Sequence, residues 1–291
     1  MTSTRRALRD LVGLTRRVFA REPGLTVLGL AGLGIAALCL VAVAVRGPFI
    51  PPEGKMLDAA TFSFGVGVYT LTIALLLPEA GFSPVARRRW RRLAYVFLVF
   101  GLVVEPLQAF RGLDPRFTEV GGAVDVVTGI VFGVTALLNT VLFVVLGLRF
   151  FRDDVLGDRP LLRAGIRYGV VAVWVSFAVG VVMSVVGGRV IGDDGDLMLT
   201  HALGVHGIQT VPLIALLLIW AGGSAHRAAW LHAAGIGWLT ACAATLLIAT
   251  LGDSPSDLSI LMVIAIAGLL AWLTAAGRAA TAVGRRLQGS G

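Results

Sequence analysis

Charge is scarce along this chain, and so are lysine and cysteine. Only 14% of the 291 residues are charged, and 57% are apolar. A soluble fold of this length needs far more polar surface to cover its core. The single lysine is Lys55, so the excess positive charge, +8 in all, is carried by arginine. Two cysteines, Cys39 and Cys242, sit in apolar stretches with no CxxC or zinc spacing, which sets aside redox and zinc–thiolate chemistry and leaves buried, inert thiols. Mean hydropathy is +0.87.

What is present is a recurrence of apolar stretches, each near the roughly 20 residues that a bilayer-spanning helix needs. They cover residues 25–45, 57–77, 93–110, 122–148, 165–187, 199–220, 228–250 and 259–277. Lipid offers the backbone no hydrogen-bond partner, so the spans are helices. The fold class expected is an all-α polytopic membrane helix bundle of about eight transmembrane helices. Residues 25–280 form one transmembrane domain, followed by a short basic tail at 281–291. The lipid bilayer is the first partner expected, and the cell membrane the location.

Residues 1–24 read differently. On a helical wheel Arg5, Arg6, Arg9, Arg16, Arg17 and Arg21 share one arc of about 160°. Leu8, Leu11, Val12, Val18 and Phe19 lie opposite, giving a basic amphipathic helix suited to an anionic membrane surface. The long basic stretch without a small-residue cleavage site does not read as a signal peptide.

The arginines orient the chain. With the N-terminus inside and eight crossings, the inner segments hold 20 of the 25 basic residues. The outer side holds only Arg46, Lys55, Arg111, Arg116 and Arg189. This bias predicts both termini on the cytoplasmic side and explains the positive charge without nucleic acid. No internal repeat is evident in the sequence, so an inverted-repeat transporter is not indicated. Gly129 and Gly133 form a GxxxG expected to serve close helix packing.

Polar groups inside spans are costly and mark candidate sites. On this topology they collect in the outer halves, where 11 of 17 acidic residues also fall. The third span ends GLVVEPLQAFRG, with Glu105 and Gln108 on one face, Arg111 just beyond, and Pro106 expected to kink the helix. Glu105 reads as a proton-handling or ligand-binding acid, or as half of a Glu–Arg pair tying helix ends. Asp125 opens the fourth span, where the helix dipole favours an acid, and it can complete a site with Glu105 and the histidines. The sixth span begins LTHALGVHGIQTVPL and places His201, Gln209 and His206 at about 0°, 80° and 140° around its axis. The two histidines read as ligands of a divalent metal, as acid–base groups, or as hydrogen-bonded structural residues. His232 lies near the inner side and does not match His206 in depth, so a bis-histidine haem is not expected. Asp193, Asp194 and Asp196 lack the spacing of a calcium loop and read as a solvated turn.

The segments PFIPPEG, EPLQAFRG and HALGVHGIQTVPL resemble a family of uncharacterised bacterial multi-spanning membrane proteins with E-x-x-Q-x-x-RG and H-x-x-G-x-H-x-x-Q motifs. Glu105, Gln108, Arg111 and Gly112 match the first motif, and His201, Gly204, His206 and Gln209 match the second. Residues 114–118 depart from the family's SHFN-like stretch except at Phe117. The resemblance implies where a site lies and supplies no reaction.

Three functions are compatible with these residues. In the first, Glu105, Asp125, His201 and His206 give acid–base or metal chemistry, while Arg111, Gln108 and Gln209 bind a small or lipophilic substrate. In the second they form the substrate or proton site of a transporter. In the third the cluster locks helices in a structural or sensory membrane protein.

Overall fold

The computed structural model describes residues 19–222 and 226–289. Most of the expected amphipathic segment at 1–24 lies outside them. Among the described residues are eight long helices, each long and apolar enough to cross a membrane. They are α1 (Pro23–Arg46), α2 (Met56–Leu76), α3 (Pro84–Phe110), α4 (Ala123–Arg149), α5 (Pro160–Val186), α6 (Leu197–Ala221), α7 (Arg227–Thr250) and α8 (Ile260–Gly289). The protein is an all-α polytopic bundle.

Helix starts follow from local chemistry. Pro23, Pro84 and Pro160 occupy the first turns of α1, α3 and α5, where a missing N–H is harmless. Ser83 caps α3 and Asp196 caps α6. Two helices outrun their apolar stretch. α3 begins nine residues before the hydropathy boundary because the arginine run continues the helix, with Arg88, Arg89 and Arg92 exposed and Arg87 and Arg91 bonded to Glu22. α8 extends through the basic tail to Gly289 for the same reason.

The chain divides into two compact units, Met1–Leu146 and Gly147–Gly291, within the stretch that the sequence treats as one domain. In the first, α1 packs on α2 through Gly29, Gly32 and Gly67, where backbones meet directly. A two-residue-per-strand antiparallel hairpin, β1 (Phe49–Ile50) and β2 (Gly54–Lys55), joins those helices, and α3 and α4 follow. In the second, α5 packs on α6 through Gly165, Gly169 and Gly204. The hairpin β3 (Val190–Ile191) and β4 (Gly195–Asp196) joins them, and α7 and α8 follow.

The element order is therefore repeated: helix, hairpin, helix, helix, helix. The correspondence extends to single hydrogen bonds. The Met56 N–H donates to the Pro48 carbonyl at 2.9 Å, and the Leu197 N–H to the Arg189 carbonyl at 2.8 Å. The third helix of each unit ends in a Schellman motif, with Gly112 at φ +77° and Gly252 at φ +79°. There the Leu113 N–H reaches the Gln108 carbonyl at 2.9 Å, and the Asp253 N–H reaches that of Ile248 at 3.1 Å. Each of these glycines then accepts from its own hairpin, from Glu53 N–H at 2.8 Å and from Asp194 N–H at 3.1 Å. This overturns the reading that the halves share no repeat. The repeat is held by main-chain bonds and glycines, which leave few matching side chains to recognise.

Candidate functional site

In the first unit the hairpin end collects most of the residues singled out by sequence. Glu105 is on the last turns of α3, which continues through Pro106, and is 1% exposed. Its partner is Arg116, whose Nη2 donates to Glu105 Oε2 at 2.7 Å. The Arg116 guanidinium carbon also lies 5.5 Å from the Phe62 ring centre and 5.3 Å from that of Phe132. The cation thus meets a carboxylate and two ring faces, each of which favours it. Arg116 comes from the irregular segment between α3 and α4, not from a helix.

Arg111 serves a different acid. Its Nη1 donates to Asp125 Oδ1 at 2.6 Å and to Gln108 Oε1 at 2.6 Å, and Gln108 Nε2 donates to Asp125 Oδ1 at 3.1 Å. The Gly122 N–H reaches the other Asp125 oxygen at 3.1 Å, closing the first turn of α4. The Glu–Arg pair that the sequence offered as one reading of Glu105 is formed with Arg116, while Arg111, the nearer arginine in sequence, pairs with Asp125. Sequence spacing suggests the nearest arginine; geometry selects the one that a loop can fold back onto the buried acid.

A third carboxylate organises the loop. Glu53, at the hairpin turn, accepts from the Thr118 hydroxyl at 2.6 Å, the Glu119 N–H at 2.7 Å and the Asp114 N–H at 3.3 Å. The Thr118 hydroxyl first, then the Glu119 N–H, holds its carboxyl below the usual glutamate range. Asp114 accepts from the N–H groups of Arg116 and Phe117, at 2.8 and 2.9 Å, in a local turn. Gly129 serves this loop as well. A Cβ there would lie 2.6 Å from the Arg116 carbonyl, while Gly133 faces open space. The GxxxG therefore receives a loop and not a helix.

His201, His206 and Gln209 belong to the second unit. His201 Nδ1 lies 2.9 Å from the Ser176 carbonyl on α5 and 3.1 Å from the Ser176 hydroxyl, which itself donates to the His201 carbonyl at 2.7 Å. Gly180 leaves room for the ring. His206 Nδ1 lies 3.3 Å from Gln209 Oε1, one turn on. Deeper in the unit, Thr200 donates to Thr245 at 3.0 Å and Trp238 Nε1 to the Leu203 carbonyl at 3.0 Å. At the opposite end Tyr168 meets His232 at 3.0 Å. Among the described residues no group of three or more His, Cys, Asp or Glu is placed to hold a metal ion. Cys39 and Cys242 are both free and buried.

No family model, curated protein or solved structure matches this chain. The site stands on its own geometry.

Sequence reasoning missed the corresponding feature at the other end of the first unit. Glu22, 0% exposed, accepts from Arg87 Nε at 2.6 Å and Arg91 Nη1 at 3.0 Å, and Arg21 pairs with Glu79. The signal was present: one acid immediately before the Pro23 helix start, on the same predicted side as an arginine run.

Proposed function

We propose that this is a multi-pass protein of the cell membrane, with both termini cytoplasmic, whose outer-side charged constellation is a lock in a structural or sensory device. The observation that carries this reading is that Glu53, Glu105, Gln108, Arg111, Arg116 and Asp125 each bond within the first unit, and together bridge the hairpin, α3, α4 and the intervening loop. A general acid or base needs a proton or lone pair available to substrate. Here the buried carboxylate is committed to a guanidinium already held by two aromatic rings. Buried ion pairs contribute little net stability compared with apolar packing, and serve better to fix one arrangement among several.

Trypsin added to intact spheroplasts tests both lock and orientation. The wild-type loop at 111–122 resists cleavage, and Glu105→Gln or Asp125→Asn renders Arg116 and Arg111 sensitive from outside. The run Arg87–Arg92 is cut only after permeabilisation. Loop resistance unchanged in both variants sinks the lock, and cleavage of the loop only in inverted vesicles reverses the orientation.

A carrier is the second reading. It is favoured by the repeated element order of the two units, since internal repeats occur in carriers. A carrier predicts that a Glu105→Gln protein of normal thermal stability loses proton-driven solute uptake in proteoliposomes.

A further inference from the structure

We infer that the second unit carries a binding groove for a small lipophilic ammonium ion: one apolar chain with a cationic head. The groove measures about 220 Å³. Val175, Val179 and Val182 of α5 form one wall, Leu246 and Thr250 of α7 the other, and Ile191 of β3 closes the hairpin end. Apart from the Thr250 hydroxyl, the lining offers no polar side chain. Its volume is below the roughly 300 Å³ at which drug-sized pockets begin. It suits a single alkyl chain or one ring.

Charge complementarity selects the head. The lining runs to Ile191 and Leu197, which flank the β3–β4 turn, and to Thr250, the last residue of α7 before the segment that follows it. The turn and that segment are brought together by the Asp194 N–H bond to the Gly252 carbonyl and by close approach of Gly192 and Gly195 to Gly252. They carry Asp193, Asp194, Asp196, Asp253 and Asp257 against one base, Arg189. Asp196 is engaged, capping α6 and lying 3.7 Å from Arg189. Asp193, Asp194, Asp253 and Asp257 are exposed. An apolar slot under an acidic rim attracts a cationic amphiphile and repels an anionic one. The site involves none of the charged residues of the first unit.

The test uses the full chain in phosphatidylcholine nanodiscs, with octyltrimethylammonium as probe and octyl sulfate as its anionic counterpart. Binding is read by saturation-transfer NMR against empty discs. The wild type retains the ammonium above the empty-disc level and does not retain the sulfate. Val182→Trp and Thr250→Trp, both at exposed positions on opposite walls, fill the slot and abolish retention while thermal melting is unchanged. Asp193→Asn with Asp253→Asn weakens ammonium binding about tenfold at low ionic strength, an effect that shrinks in ~0.5 M salt. Equal retention of both probes overturns the assignment. So does ammonium binding that survives both tryptophan variants, or a probe partition no greater than in empty discs because disc lipid occupies the slot.

Discussion

The two hairpin ends share a scaffold and differ in what is hung on it. Aligned through Gly112 and Gly252, Glu105 corresponds to Thr245, Gln108 to Ile248 and Arg111 to Leu251. In the second unit Thr245 hydroxyl-bonds Thr200, and the other two positions are apolar. That hairpin docks on its third helix without any ion pair at these positions. The charges of the first unit therefore do not hold the shared fold. They hold what is different there: a longer connection between the third and fourth helices, residues 111–122 against 251–259. Arg116, Asp114 and Thr118 all lie on that connection.

Breaking the buried pair should separate the units most sharply. Glu105→Leu leaves Arg116 without its carboxylate, and we expect a loss of about 3–5 kcal/mol in thermal or denaturant unfolding. Glu105→Leu with Arg116→Met should recover most of it. The corresponding Thr245→Val should cost less, about 1–3 kcal/mol, since it removes the acceptor of the buried Thr200 hydroxyl but leaves no charge unpaired. Equal losses at the two positions would end the distinction drawn here.

Next in size are substitutions at the shared scaffold. A Cβ at Gly54 would strike the Ala109 carbonyl, and one at Gly195 the Ala249 carbonyl. Gly54→Ala and Gly195→Ala should each cost about 1–3 kcal/mol, by the same overpacking in both units. A large effect in one and none in the other would show that the hairpins are not docked alike. Ser176→Ala removes the hydroxyl that donates to the His201 carbonyl and should cost about 1 kcal/mol, with no change at the first unit's loop by proteolysis.

The smallest effect is one of pH. Glu53 has its carboxyl pKa lowered in the folded state, so its contribution is fully present above the ordinary glutamate range and is lost as pH falls through the lower folded value. Thr118→Val removes the first cause. Comparing the two proteins between about pH 5 and pH 2 by thermal melting should show a shallower acid loss in the variant. Identical acid profiles would remove Glu53 from the account.

The eight spans were legible because lipid allows few solutions: long apolar stretches must be helices. Their ends were less so where arginines extend a helix past its apolar part, as at Arg87–Arg92 and beyond residue 277. The identities of Glu105, Gln108, Arg111 and Asp125 as a polar group were legible too, since polar side chains in spans stand out. The partners were not. Pairing of Glu105 with Arg116 depends on the path of an irregular loop, which has no period to read, and on ring faces at Phe62 and Phe132 from two other helices. The repeat escaped for the opposite reason: backbone donors and acceptors exist at every residue, so a bond from Glu53 to Gly112 leaves only a glycine as its trace.

That bond has a consequence for what each end can carry. A junction made of amide, carbonyl and glycine places almost no demand on neighbouring side chains. The two hairpin ends accordingly differ in their side chains, one with paired arginines and acids, the other with aspartates in its turn. A scaffold fastened in this way lets each half carry different side chains on the same backbone frame.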